Sequence, residues 1–168
     1  MADPFLRAVH DALDAQREER GLTWAAVARE LSRSQPTERP VAASTIASLK
    51  NKRVAEGDGV LQMLLWLRRT PESFVPGMID PKSDVFCRPS LAEGQILRWD
   101  PPALFAALDD RRRARGITWP DVAREIGGVA PTMLTNLARA KRVGFPGVMD
   151  LVRWLGRPAA SFTRISRW

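Results

Sequence analysis

The sequence holds one cysteine and one histidine in 168 residues. A lone Cys87 excludes an intramolecular disulfide and any cysteine-based zinc site, so it reads as a buried or incidental thiol in a reducing, cytoplasmic protein. His10 has no second histidine or cysteine to complete a metal set, and no serine or cysteine nucleophile can be partnered with a histidine base elsewhere. No strand pattern is legible, so no glycine-rich phosphate loop follows a strand. Long apolar runs are missing too. None approaches the roughly 20 residues of a membrane span, and the opening MADPFLRAVHDALDAQ carries charges inside its apolar run, unlike a leader or an anchor. These absences leave no catalytic candidate, no metal and no cofactor among the expectations, and no enzyme activity.

What is present is a globular composition, 45% hydrophobic and 27% charged, with a formal net charge of +7. A basic balance suggests a polyanionic partner. Residues 1–75 hold 11 Lys/Arg against 10 Asp/Glu, residues 76–101 hold 3 against 4, and residues 102–168 hold 12 against 5. The excess therefore sits in the second part of the chain, 102–168.

The chain also says one thing twice. RGLTWAAVAREL at 20–31 returns as RGITWPDVAREI at 115–126. Trp119 minus Trp24 is 95, an offset shared by Leu108/Leu13, Gly116/Gly21, Val122/Val27 and Ala123/Ala28. Further on, Trp154 minus Trp66 is 88, as are Leu137 minus Leu49, Gly147 minus Gly59 and Phe162 minus Phe74. The first copy thus carries seven extra residues (95 minus 88), within SRSQPTERP at 32–40, whose composition reads as a surface loop.

Each copy reads as five short helices. Leu6, Val9 and Leu13, matched by Leu104 and Leu108, share one face of the first, which Gly21 or Gly116 ends as a left-handed cap. Thr23 and Thr118 are expected N-caps of the second, with Asp121 completing a capping box in the second copy. Trp24, Val27, Ala28 and Leu31, and Trp119, Val122, Ala123 and Ile126, then form a buried stripe at i, i+3, i+4 and i+7. A third helix, AASTIASLKNKR or APTMLTNLARAKR, has only Ile46 and Leu49, or Leu134 and Leu137, as strong apolar anchors. The fourth, GVLQMLLWLR or GVMDLVRWLG, is expected to carry the core, Trp66 and Trp154 included, and a fifth turn buries Phe74 or Phe162. The expected fold is all-α: two pseudo-symmetric five-helix units, 1–75 with its insertion at 32–40 and 102–168. They are joined by a partly ordered linker, 76–101. In that linker Val85, Phe86, Ile96, Leu97 and Trp99 are expected to dock, with a short extended piece at 95–99.

A short helix, a tight turn and a helix with a polar outer face make a helix-turn-helix pattern, with Ala28 and Ala123 as the small residues at the close approach. On RGLTWAAVAREL and RGITWPDVAREI, on the third helices with their trailing basic residues, and on LLWLRRTPESFV and VRWLGRPAASFT, the chain resembles the XRE-type, phage-repressor and Cro-like helix-turn-helix domains. The resemblance covers both copies nearly end to end and implies lambda-repressor-like units. It further implies that the start and outer face of the third helix meet base edges: Ala43, Ser44, Ala47, Ser48 and Asn51 in the first copy, with Thr45 beside them, and Pro131, Thr132, Thr135, Asn136 and Arg139 in the second. Asn136 suits adenine, and Arg139 suits guanine or a phosphate. Lys50, Lys52, Arg53, Lys141 and Arg142, where the chain leaves the helix, suit phosphates. Where the family usually has a glutamine after the threonine of the second helix, this chain has Trp24 and Trp119, expected to pack on the core. The insertion either holds the first reading helix off the groove or adds Arg33 and Arg39 as phosphate contacts. The arginine run DDRRRARG at 109–116 reads first as a solvated helix face.

Two functions follow. One is a double-stranded DNA-binding transcriptional regulator, cytoplasmic and nucleoid-associated, in which one chain stands in for a dimer. Its half-sites would lie roughly 34 Å apart, a distance the 26-residue linker (101 minus 75) spans as a coil of on the order of 30 Å. The other is an interaction module whose first copy binds itself or another regulator while only the second copy, or neither, touches DNA. RNA is a distant third, without exposed aromatics for stacking. Neither function involves a membrane.

Overall fold

In the computed structural model, which describes residues 1–34 and 40–167, the first helix α1 (Pro4–Glu19) starts where the Asp3 carboxylate accepts from the N–H groups of Phe5 and Leu6. It ends at Gly21, φ +65°, with the Leu22 N–H bonded to the Arg17 carbonyl. The left-handed residue closes the helix because glycine has no Cβ to clash there. The counterpart α6 (Pro101–Arg115) ends the same way, with Gly116 at φ +63° and Ile117 bonded to Arg112. α2 (Trp24–Ser34) opens on a Thr23 Oγ1 that accepts the Ala26 N–H. α7 (Trp119–Ile126) opens on the reciprocal Thr118–Asp121 box. The insertion's first residues, 32–34, thus continue α2 instead of forming a loop.

The third helices are shorter than the sequence suggests. α3 spans Ala43–Ala47 and is followed by a 3-10 turn at Leu49–Asn51; α8 spans Pro131–Asn136. Neither has a side-chain N-cap bond, which leaves little besides the anchoring of Ile46 and Leu134 to hold them helical. The fourth helices, α4 (Gly57–Leu67) and α9 (Gly147–Leu155), are apolar on most of their surface, and 3-10 turns at Pro71–Phe74 and Ala159–Phe162 follow them. Between the copies lies the short α5 (Asp84–Cys87).

The all-α expectation is overturned. Two antiparallel two-stranded sheets accompany the helices: β1 (Ala55–Glu56) pairs with β3 (Gly144–Phe145), and β2 (Gln95–Trp99) pairs with β4 (Thr163–Arg167). Two-residue strands are too short to show a period of two. β4, in turn, buries none of its residues fully, so its alternation carries no apolar signal. Of the linker residues, Phe86, Ile96, Leu97 and Trp99 are buried as expected, whereas Val85 is exposed.

Both copies contribute to one hydrophobic core. Phe5 stacks on Phe145 with ring centroids 5.1 Å apart, and Trp99 tilts against the same ring at 5.5 Å. The ladder beside them is self-complementary. Glu56 faces Gly144, its own counterpart at the offset of 88; Ala55 faces Phe145; and the Gly57 N–H donates to the Val143 carbonyl at 2.8 Å. Each segment meets its equivalent running the other way, which is the signature of a local two-fold axis passing by Glu56 and Gly144. The symmetry is incomplete: residues 75–79, counterparts of β4, form no strand.

Candidate nucleic-acid interface

Ile46 and Leu49, and Leu134 and Leu137, are buried and seat the third helices on the core. That seating turns the opposite face outward. Ser44, Lys50, Asn51 and Arg53 are exposed in the first copy, and Thr132, Thr135, Asn136, Arg139, Lys141 and Arg142 in the second. Thr45, Ser48 and Lys52 are half-buried, and Thr45 and Lys52 line a cavity against α4 instead of standing on the outer face. Arg139 lies in the turn after α8. Two hydroxyls turn back on the backbone: Ser48 donates to the Thr45 carbonyl at 3.3 Å and Thr135 to the Thr132 carbonyl at 3.1 Å. Of the side chains implied in base contact, Asn51 and Asn136 therefore retain the most complete donor and acceptor pairs for a base edge.

The cations divide into two groups. Among the described residues Lys50, Lys52, Arg53, Arg139, Lys141 and Arg142 make no ion pair or hydrogen bond through their side chains. Most arginines of α1, α6 and α7 are engaged. Arg17 holds Asp14 at 2.6 Å, Arg112 and Arg113 share Asp109 at 2.7 and 2.9 Å, and Arg124 holds Asp121 at 3.0 Å. Arg111 bonds the Trp154 carbonyl and lies over its ring. The arginine run at 109–116 is thus largely an internally paired helix face. The unengaged cations follow the two third helices, on chain segments that lead directly into β1 and β3 beside the local axis. Of the residues offered by the insertion, Arg33 is exposed on the last turn of α2, and Arg39 lies outside the described residues.

A repeated cluster that the residue-type reading passed over locks the scaffold behind this surface. Arg20 grips Glu30 through two nitrogens, at 2.7 and 2.8 Å, and the Trp66 indole N–H donates to the same carboxylate at 2.8 Å. Arg115, Glu125 and Trp154 repeat it at 2.5, 2.7 and 2.9 Å. Trp66 and Trp154 are accordingly half-buried bridges, not core residues, because their indole N–H groups need an acceptor. The Arg115 bond, then the Trp154 N–H, hold the Glu125 carboxyl down to about 2, and Arg20 with Trp66 lowers Glu30 likewise. The signal for the cluster was available: both charged positions share the offset of 95 and the tryptophans that of 88.

Comparisons with family models, curated proteins and solved structures gave no match. Trp24 and Trp119 sit half-buried against the core, each under an arginine: Arg17 at 4.8 Å and Arg112 at 5.0 Å from the ring centroids. His10 lies beside Trp24 as Phe105 lies beside Trp119, at 5.4 Å in both cases, so the histidine occupies an aromatic packing position. Among the described residues no group of three or more His, Cys, Asp or Glu side chains is placed to hold a metal. No described helix is long and apolar enough to cross a membrane.

Proposed function

We propose that the protein is a double-stranded DNA-binding regulator whose two copies act as the halves of a dimer within one chain. The observation that carries this reading is the convergence of two unengaged basic segments, Lys52–Arg53 from one copy and Lys141–Arg142 from the other, on a ribbon whose register is symmetric about Glu56 and Gly144. Two-fold related reading elements match two-fold related DNA, so the preferred site is an inverted repeat and not a direct one. Asn136 and Arg139, with Asn51 in the first copy, supply most of the base discrimination, and the first copy's other positions, short hydroxyls and small residues, leave it chiefly phosphate contacts.

Selection of bound duplexes from a random pool tests this. Enrichment of an inverted repeat, bound with steep salt dependence, is expected. At about 0.9 for each phosphate no longer neutralised, replacing Lys52 and Arg53 by Ala should flatten the log-log salt slope by about 0.9, Lys52 being turned to the cavity, and replacing Lys141 and Arg142 by Ala should flatten it by about 1.8. No enrichment would refute the reading. A slope that responds only to the second pair would assign DNA to one copy and leave the first to a protein partner.

A further inference from the structure

A cavity of about 410 Å³ opens beside the local axis, between α3 with its 3-10 turn, the first half of α4, and β2. Its size lies in the range of small-ligand sites. One wall is apolar: Val41, Leu49, Val60, Met63 and Ile96. The other is polar in an unusual way. Gln62 is 4% exposed, and its Oε1 has no hydrogen-bond partner. The Arg98 Nε is likewise buried without a partner. Both side chains line the cavity, and a buried polar atom left unpaired costs about 1–3 kcal/mol, so an occupant to which the two side chains could turn would recover that cost.

The charges state what that occupant looks like. Lys52, Arg98 and Arg142 line the cavity, and so do Glu56 and Asp58. Glu56 is already used, accepting the N–H groups of Asp58 and Gly59 at the start of α4. Asp58 accepts the Trp99 N–H at 3.0 Å, and burial pushes its carboxyl above the usual range. An acceptor-rich group is thus wanted by Arg98 and its cationic neighbours, and an N–H donor by Gln62 and Asp58. We propose that the cavity binds a small zwitterion with an apolar body, for which an apolar α-amino acid is the simplest chemistry. Its carboxylate meets Arg98, Lys52 and Arg142, its ammonium meets Gln62 and Asp58, and its side chain lies along Leu49 and Met63.

Most of the lining comes from the first copy, with Ile96 and Arg98 from β2 and Arg142 from the second copy. In the second copy position 150, the counterpart of Gln62, is an exposed Asp. The ligand would touch Thr45 and Lys52 of the first reading element and Arg142 of the second copy at once. Occupancy therefore sets how the copies meet at the axis. If the DNA reading holds, on which this coupling rests, occupancy changes DNA affinity by about 5–150-fold, and DNA changes ligand affinity by the same factor.

The test titrates the ¹⁵N-labelled full chain, without DNA, with L-leucine, L-isoleucine, L-methionine and L-phenylalanine. Each amino acid is accompanied by its des-amino acid and its decarboxylated amine. Saturable shifts of the Arg98 and Trp99 amides by at least one amino acid, about tenfold weaker for its two half-ligands, are expected. Gln62→Leu keeps the volume and removes the unpaired acceptor, so it should fold and lose the binding; Arg98→Met is the second variant should that one not fold. No saturation at millimolar concentration, equal binding of the half-ligands, or unchanged binding in the folded variant overturns the proposal. Because ligand and DNA are measured apart, loss of one reading leaves the other standing.

Discussion

Gly57 sits at a close backbone approach between the two copies, its N–H 2.8 Å from the Val143 carbonyl, and Gly57→Ala isolates what that approach contributes. A Cβ there would stand 2.4 Å from the Val143 carbonyl oxygen and 2.8 Å from the Trp99 ring. The first obstacle is backbone and the second a buried indole, so neither yields without moving the β1–β3 ribbon. Overpacking of this kind costs about 1–3 kcal/mol, and displacing the ribbon forfeits the Gly57 N–H bond to Val143, about 1 kcal/mol more. The expected loss is about 2–4 kcal/mol. At a urea m-value of about 2 kcal/mol/M the midpoint falls by about 1–2 M. Gly147→Ala is the internal control. The same Cβ meets nothing within 4 Å there, at the first residue of α9. Alanine in the helix should raise stability by about 0.5–1 kcal/mol. Opposite signs from one chemical change, read by urea denaturation of both variants, support the packing argument. A Gly57→Ala midpoint within about 0.2 M of the parent's would refute the closeness of the two copies at the axis.

Three further outcomes are expected. Glu125 should titrate near 2 by side-chain carboxyl NMR. Because that value lies below the ordinary carboxylate range, its contribution to stability is present above pH about 4.5 and fades as the pH falls toward about 2, with Trp154→Phe raising the titration point. Glu72 is buried and accepts the Ala159 N–H at 2.6 Å across the two copies, so Glu72→Ala should cost about 1–3 kcal/mol in chemical denaturation. The shared core should give one cooperative transition in which fluorescence and far-UV circular dichroism coincide; two separated transitions would mean that the copies unfold independently.

The helices were legible because their signals are local. The Leu6, Val9 and Leu13 spacing, the caps at Thr23 and Thr118 and the glycines at 21 and 116 each depend on a few neighbours in the chain. Their lengths were less so. The polar composition of AASTIASLKNKR suits a helix, yet only a turn or so is anchored by Ile46, and the segment tightens to a 3-10 turn by Leu49. The sheets escaped because pairing is a property of two distant segments: Ala55 gives no sign of Phe145. The extended piece at 95–99 was visible as QILRW, while its partner at 163–167 was not, since Ile165 alone among its residues is strongly apolar and it is 54% exposed. The repeat itself was plain, and with it the positions of the basic segments. That they meet at an axis follows only from the register. The tryptophans show the same limit from another side: an apolar helix context suggested burial for Trp66, and only the placement of Glu30 explains why its indole stays at the surface.

β2 serves both halves, packing on α4 and pairing with β4, which gives biosynthesis a definite schedule. Translation at about 5–20 residues per second puts about 5–18 s between the emergence of residue 75 and residue 167 (167 minus 75 is 92). Through that interval the first half waits at the ribosome without its cover, and it reaches its final shape only when later-made chain comes back to close over it.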